Sequence, residues 1–247
     1  MTTLDPELEQ ALRALAARRP LLLASDYDGV LAPLVGDPSA AVPSPGVAAV
    51  LARLSDVEEV TVALVSGRGV DDLQRTSGLT GSYRWVGSHG AEFDGPLTGA
   101  LAARRDELAE LLRPLVAATP GARLEVKPAS VAVHVRQVAD RSAAAGLLAE
   151  AERRADSSLT LKPGKEVLEV AVTDADKGTA LRRLREELGA AAVLYLGDDV
   201  TDEDAFRALG PEDVAVKIGD GATAARYRIG SPADAVAVLE RLAGLLA

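Results

Sequence analysis

The chain has no cysteine, one methionine, one tryptophan and two histidines. The missing cysteines exclude disulfides, thiolate catalysis and cysteine-based metal sites, and fit a reducing compartment, here expected to be the cytoplasm. Aromatic residues make up only 3%, so the core has to be built from Ala, Val and Leu. Positive charge is the scarcer sign: 27 Lys and Arg stand against 37 Asp and Glu, a formal net charge of −10. That balance argues against general nucleic-acid binding, which needs basic surface, and against docking on an anionic membrane. It leaves a phosphorylated small molecule open, because a metal ion or a few local cations can reverse the field in a pocket. No apolar run is long enough to cross a bilayer. The segment before Arg19 carries Asp5, Glu7 and Glu9 and does not read as a signal peptide. The expected partner is a small molecule, with no nucleic acid, no membrane and a monomeric chain.

What is present is an ordinary globular balance, 48% hydrophobic and 26% charged over 247 residues, enough for one large domain or a core with a smaller second module. A short apolar run, Leu21-Leu22-Leu23-Ala24-Ser25, leads into Asp26-Tyr27-Asp28-Gly29. It reads as a buried strand with two carboxylates at its C-terminal end, where open α/β sheets bind ligands, or alternatively as a strand before an Asp-Gly turn. A β-branched run at 60–65 ends at Ser66-Gly67-Arg68, and a third at 85–87 ends at Ser88-His89-Gly90. Helical stripes lie between them, which predicts a doubly wound α/β sheet. After Pro96 the order becomes α-β-β-α-β-β, which predicts an antiparallel sheet with helices on one face, an α+β module inserted at 100–173. The α/β pattern returns at 174, with a helix opened by Asp176, a strand at 192–196 ending in Gly197-Asp198-Asp199, a short helix from Thr201 with Asp204 at capping-box spacing, and a last strand at 214–218. The expected organisation is a Rossmann-like core of residues 1–99 and 174–247 carrying that insert.

Four strand ends thus carry polar residues that strand propensity does not require: Asp26 and Asp28; Ser66; Ser88 and His89; Asp198, Asp199 and Asp202. In a doubly wound sheet these ends face one crevice. Carboxylates from two strands there suit a hard cation such as Mg²⁺, which takes oxygen ligands and keeps some waters. The Ser66 hydroxyl and the Lys177 ammonium, at a helix start, suit phosphoryl oxygens. Each group also has a plain structural alternative: a turn for Asp26 and Asp28, dipole-complementing acids for Asp202 and Glu203, a helix cap for Ser66.

Asp26-Tyr27-Asp28-Gly29-Val30-Leu31, Ser66-Gly67-Arg68, Lys177-Gly178 and Gly197-Asp198-Asp199-Val200-Thr201-Asp202-Glu203 resemble the four ordered motifs of the haloacid dehalogenase-like phosphatases. In the insert, Glu125-Val126-Lys127, Val133-His134-Val135-Arg136 and the run from Pro163 to Val170 resemble the cap motifs of the trehalose-6-phosphate phosphatases. The resemblance covers nearly the whole chain. It implies a Mg²⁺-dependent phosphatase with a C2-type cap, acting on trehalose 6-phosphate. Asp26 is then nucleophile and ligand, and Asp28 the acid and base that also lends its carbonyl to the metal. Asp198 and Asp202 complete the metal set, and Ser66 and Lys177 steady the phosphoryl group. Lys127, His134, Arg136, Lys165 and Glu169 read the sugar. Alternatives are a phosphatase for sucrose 6-phosphate or a glycosyl phosphoglycerate, a phosphomutase, and a non-catalytic sugar-phosphate sensor. Three positions depart from the family pattern: Val30 for the usual Thr, Val135 for an aromatic, Asp176 for Asn.

Overall fold

The structure, a computed structural model, describes residues 4–247; the first three residues of the expected core lie outside the described residues. The chain divides into two compact units, one reaching to Gly95 and resuming at Ala175, the other Pro96–Asp174. Both divisions fall beside the expected ones rather than on them. On the N-terminal side, Leu97 already packs against the apolar core of the second unit.

The first unit begins with α1 (Pro6–Ala16), β1 (Leu21–Ser25), α2 (Val47–Ser55), β2 (Val60–Val65), α3 (Val70–Ser77), β3 (Tyr83–Gly87) and β4 (Glu92–Phe93). The second unit contains α4 (Gly99–Ala117), β5 (Arg123–Lys127), β6 (Ser130–His134), α5 (Arg141–Arg154), β7 (Thr160–Gly164) and β8 (Val167–Ala171). The first unit then resumes with α6 (Lys177–Leu188), β9 (Ala192–Gly197), α7 (Asp202–Ala208), β10 (Val214–Ile218), β11 (Tyr227–Ile229) and α8 (Pro232–Leu246).

The core sheet runs β11-β10-β9-β1-β2-β3-β4. All its pairs are parallel except β3 with β4. β1 lies in the middle, between β2 and β9, and is buried along its whole length. Its side chains alternate as strand geometry requires. Leu21 and Leu23 join a cluster with α1, α2, α3 and α8, while Leu22 and Ala24 join one with α6 and α7. Helices on both faces of a mostly parallel sheet make this a Rossmann-like doubly wound fold, as the alternating pattern predicts. The order also reverses at β1: the chain moves to β2 on one side and to β9 on the other, so a crevice opens at the ends of these strands.

Two expectations need correction. The strand at 214–218 is not the last, because the short β11 pairs with it at the sheet edge. Thr201 makes no side-chain cap on α7, so the capping box does not form; the acid that follows it is used differently, as described below.

In the second unit an antiparallel sheet of order β5-β6-β8-β7 packs its apolar face on α4 and α5. Leu112, Val131, Val133 and Val170 are fully excluded from solvent there. Val135, where the family pattern has an aromatic, is buried in this apolar core.

Candidate active site

Beyond Ser25 the chain leaves β1 but stays bound to its neighbour, with the Asp26 N–H donating to the Leu196 carbonyl at 2.9 Å. Asp26 is 5% exposed. Its Oδ1 accepts from the Tyr27 N–H at 2.6 Å and its Oδ2 from the Lys177 ammonium at 2.6 Å. Lys177, 1% exposed, is the first residue of α6, where the helix dipole disfavours a cation. Two carboxylates hold it there, Asp26 and, at 2.7 Å, Asp202. Burial works to lower the Lys177 ammonium, but these two neighbours more than reverse that and push it up.

Asp202 is the organising acid. Its Oδ1 accepts from Lys177 and from the Tyr195 hydroxyl, and its Oδ2 from the backbone N–H groups of Asp198 and Asp199 at 2.9 Å each. The Asp202 side chain bends the 198–199 loop back over the end of β9. A Cβ on Gly197 would lie 2.4 Å from the Asp202 Cγ, so only glycine fits there.

Oxygen atoms of Asp26, Asp198 and Asp202 lie within 4.8 Å of one another. Among the described residues no donor hydrogen-bonds the Asp198 carboxylate; its backbone carbonyl accepts from the buried Lys217 ammonium. Burial, against the pull of Lys177, raises the Asp26 carboxyl to about 7. Burial and the Asp202 charge raise Asp198 to about 6. Acids pushed up in this way are short of positive charge, and a hard divalent cation supplies it. The donor set fits such an ion, with Asp198 the acid left open to it and Asp202 committed to its four donors. Gly29 holds the approach: its φ is +76°, and a Cβ there would lie 2.0 Å from an Asp198 oxygen.

Asp28 faces the other way. Arg68 grips it with a two-pronged pair, Nε to Oδ2 and Nη2 to Oδ1, each 2.7 Å. The same guanidinium donates to Asp72 at 3.0 Å and to the Pro38 carbonyl at 2.7 Å. The Ser66 hydroxyl oxygen accepts the Arg68 N–H at 3.1 Å; it caps no helix, since Gly69 stands at the start of α3. The 88–90 turn closes this side. His89 has a left-handed backbone (φ 58°) and lays its ring where a Gly67 side chain would stand, 2.6 Å from a Cβ placed there. Asp26, Asp28, Ser66, Arg68, Lys177 and Asp198 all line one open cavity of about 590 Å³. Asp202, expected with them, is fully buried and does not line it. Arg68, Lys217 and Tyr195 were not among the expected site residues. Arg68 stands inside a recognised motif, whereas Lys217 and Tyr195 sit in apolar strand runs that give no signal.

Cross-strand register puts Glu125, Lys127, Ser130, His134, Lys162 and Glu169 on one face of the second unit's sheet. Lys127 pairs with Glu169 at 2.5 Å, Ser130 donates to the same carboxylate, and His134 meets Glu125 at 2.7 Å. Arg136 and Lys165 do not join this face: Lys165 is in the β7–β8 turn, and Arg136, 77% exposed, follows β6 and lies 3.7 Å from Glu166.

The trehalose-phosphatase family model matches residues 24–229. The trehalose-phosphate phosphatase of Mycobacterium marinum is 36% identical over an alignment 266 positions long, covering 97% of this chain and 67% of the relative. That of Mycolicibacterium paratuberculosis is 38% identical over 269, covering 98% and 67%. The chain thus spans about two thirds of the length of these curated relatives. Among solved structures, Aspergillus fumigatus trehalose-6-phosphate phosphatase superposes with a TM-score of 0.77 at 27% identity, covering 99% of each chain. The chain belongs to the trehalose-phosphatase family, a family of phosphoric monoester hydrolases.

Proposed function

We propose that the chain hydrolyses trehalose 6-phosphate to trehalose and phosphate through an aspartyl-phosphate on Asp26, with Mg²⁺ as cofactor. The observation that carries this reading is the buried Lys177 bridging Asp26 and Asp202 beside the open Asp198 carboxylate, at the mouth of a cavity that also contains Asp28. In the first half, an Asp26 oxygen attacks phosphorus, the bond from phosphorus to the sugar oxygen breaks, and that oxygen takes a proton from the Asp28 carboxyl. In the second, water attacks phosphorus, gives its proton to Asp28, and the Asp26–phosphorus bond breaks to release phosphate. Lys177 and Ser66 stabilise the phosphoryl oxygens in both halves, a type of contribution that commonly reaches several kcal/mol. Asp26, Asp198 and the Asp28 carbonyl would hold the ion, and Asp202 orients Asp198 and Lys177. When bound, the ion would supply Lewis-acid neutralisation of the transferring group's charge.

Sugar recognition is assigned to the second unit, with Lys127, His134 and Glu169 on its polar sheet face and Arg136 and Lys165 at the sheet end. The neighbouring Glu125 joins the face by register. The test is phosphate release from a panel of sugar phosphates with and without Mg²⁺. Trehalose 6-phosphate is expected to be hydrolysed best, and Asp26→Asn to lose roughly a thousandfold or more in kcat. No better hydrolysis of trehalose 6-phosphate than of glucose 6-phosphate would remove the substrate while leaving the reaction. No release from any of them would remove the reaction itself.

A further inference from the structure

The residue before α3 is Gly69, which has no side chain to cap the helix. The missing acceptor comes from another element. Glu92, the first residue of β4 and 3% exposed, accepts the Val70 N–H at 3.1 Å and the Ser88 hydroxyl at 2.8 Å, both on Oε2. One carboxylate oxygen thus ties the start of α3 to the 88–90 turn. The approach is close: a Cβ on Gly87 would lie 2.6 Å from the Val70 nitrogen, 2.8 Å from the Glu92 Oε2 and 2.9 Å from the Arg68 carbonyl oxygen.

The 88–90 turn is bound in its own right to the loop before α3. The Ser88 N–H donates to the Arg68 carbonyl at 2.7 Å, and the His89 N–H to the Ser66 carbonyl at 2.9 Å. Ser88 and His89 both have left-handed φ values, 50° and 58°. Residues with side chains keep that conformation only where their surroundings over-determine it. The two backbone bonds and the Glu92 carboxylate on the Ser88 hydroxyl supply the constraint. What they fix is the segment that presents Ser66. Its Oγ accepts the Arg68 N–H at 3.1 Å, so its own hydrogen is left to donate into the cavity that Ser66, Gly67, Arg68 and His89 line.

We propose that Glu92 is a positioning residue for phosphoryl binding: through Val70 and Ser88 it sets the Ser66–Arg68 loop, and with it the direction of the Ser66 hydroxyl. The proposal rests on the assignment of Ser66 to the phosphoryl oxygens above. The acids of the cation site are tied instead to Lys177, Tyr195 and the backbone at 198–199. Losing Glu92 therefore weakens the hold on phosphate and leaves the hold on the cation.

The experiment measures two affinities in the same folded protein. One is the inhibition constant of inorganic phosphate against p-nitrophenyl phosphate turnover at saturating Mg²⁺; the other is the Mg²⁺ dissociation constant by calorimetry. Wild type is compared with Glu92→Ala, Glu92→Asp, Glu92→Gln and Ser66→Ala. Glu92→Ala is expected to raise the phosphate constant about tenfold, toward that of Ser66→Ala, while Mg²⁺ binding stays within about twofold of wild type. Glu92→Asp keeps the charge but is one methylene too short to reach both donors, so it should behave like Glu92→Ala; it also carries the test if the Ala variant folds poorly. Glu92→Gln keeps an acceptor oxygen with two lone pairs at the right reach, and should retain most of the phosphate affinity. If phosphate affinity is unchanged in Glu92→Ala and Glu92→Asp, or if phosphate and Mg²⁺ affinity fall by the same factor, Glu92 has only a structural role and the proposal fails. If Ser66→Ala binds phosphate as tightly as wild type, the Ser66 assignment fails and takes this proposal with it, while hydrolysis through Asp26 stands.

Discussion

Asp202 accepts four hydrogen bonds, from Lys177, Tyr195 and two backbone N–H groups, with no exposure to solvent. Only an ionised carboxylate offers enough lone pairs for four donors. An asparagine of the same size offers one acceptor oxygen, and its NH2 group turns two N–H bonds toward donors that the second carboxylate oxygen accepted. Asp202→Asn is therefore expected to cost about 3–5 kcal/mol of stability, the range for removing one member of a buried charge network, read as a lower urea midpoint. Asp199→Asn, three residues earlier in the same run but exposed, should stay within about 0.5 kcal/mol. Equal midpoints for the two variants would show that Asp202 is not the keystone described here. The sequence makes the two acids look alike, since both fall in one run after a buried strand. Which of them is saturated, and which of Asp198 and Asp202 stays open to a cation, depends on where the backbone N–H groups point. Lys217 was illegible for a related reason. It interrupts the apolar run Val214-Ala215-Val216-Lys217-Ile218 like a solvated edge residue, yet its ammonium turns inward to the Asp198 carbonyl.

At the level of elements, strong periodicity made the structure readable. β1, β2 and β9 are apolar runs in the middle of the sheet, and α1, α6 and α8 have capping residues and stripes that the chain states openly. β4 and β11 escaped because strands of two and three residues at sheet edges gain their pairing from the neighbour and not from any propensity of their own. The cap strands show how register adds what spacing alone cannot. Lys162, Glu169, Ala132 and Glu125 form one row across four strands, so Glu169 has Lys162 directly beside it, and Lys127 reaches it from the neighbouring row. Burial works to raise the Glu169 carboxyl, but hydrogen bonds from Lys127 and Ser130 and the nearby charges of Lys127 and Lys162 hold it below the ordinary glutamate value of 4.5. A carboxyl lowered in the folded state stabilises the fold fully above its unfolded value, and that contribution is lost as pH falls through the folded one. Wild type should therefore exceed Glu169→Gln in thermal stability at neutral pH, with the gap closing as pH drops below about 4.5. A gap that stays constant, or widens in acid, would mean that the Lys127–Glu169 pair does not stabilise the ionised form.

Over the whole molecule, the chain keeps two separate apolar cores within one polypeptide. The first unit places β1 between two clusters on opposite sheet faces. The second encloses Leu112, Val131, Val133, Leu147 and Val170 between its sheet and α4 and α5. With aromatics at 3% of the chain, both cores depend on aliphatic side chains filling space closely, and removing one large aliphatic residue leaves a cavity that small neighbours cannot refill. Each core should therefore fail locally. Leu112, with no exposure, is the natural site to test this. Leu112→Ala is expected to cost about 2–5 kcal/mol where it acts. In hydrogen exchange its effect should appear as faster exchange in β6, β8 and α4, while β1, β2 and β9 keep their protection. Turnover of p-nitrophenyl phosphate, which asks nothing of a sugar-reading face, should persist under conditions where trehalose 6-phosphate hydrolysis falls. If protection is lost equally in β1 and β9, the two cores unfold as one cooperative unit, and the proposed division of labour between them has no counterpart in their stability.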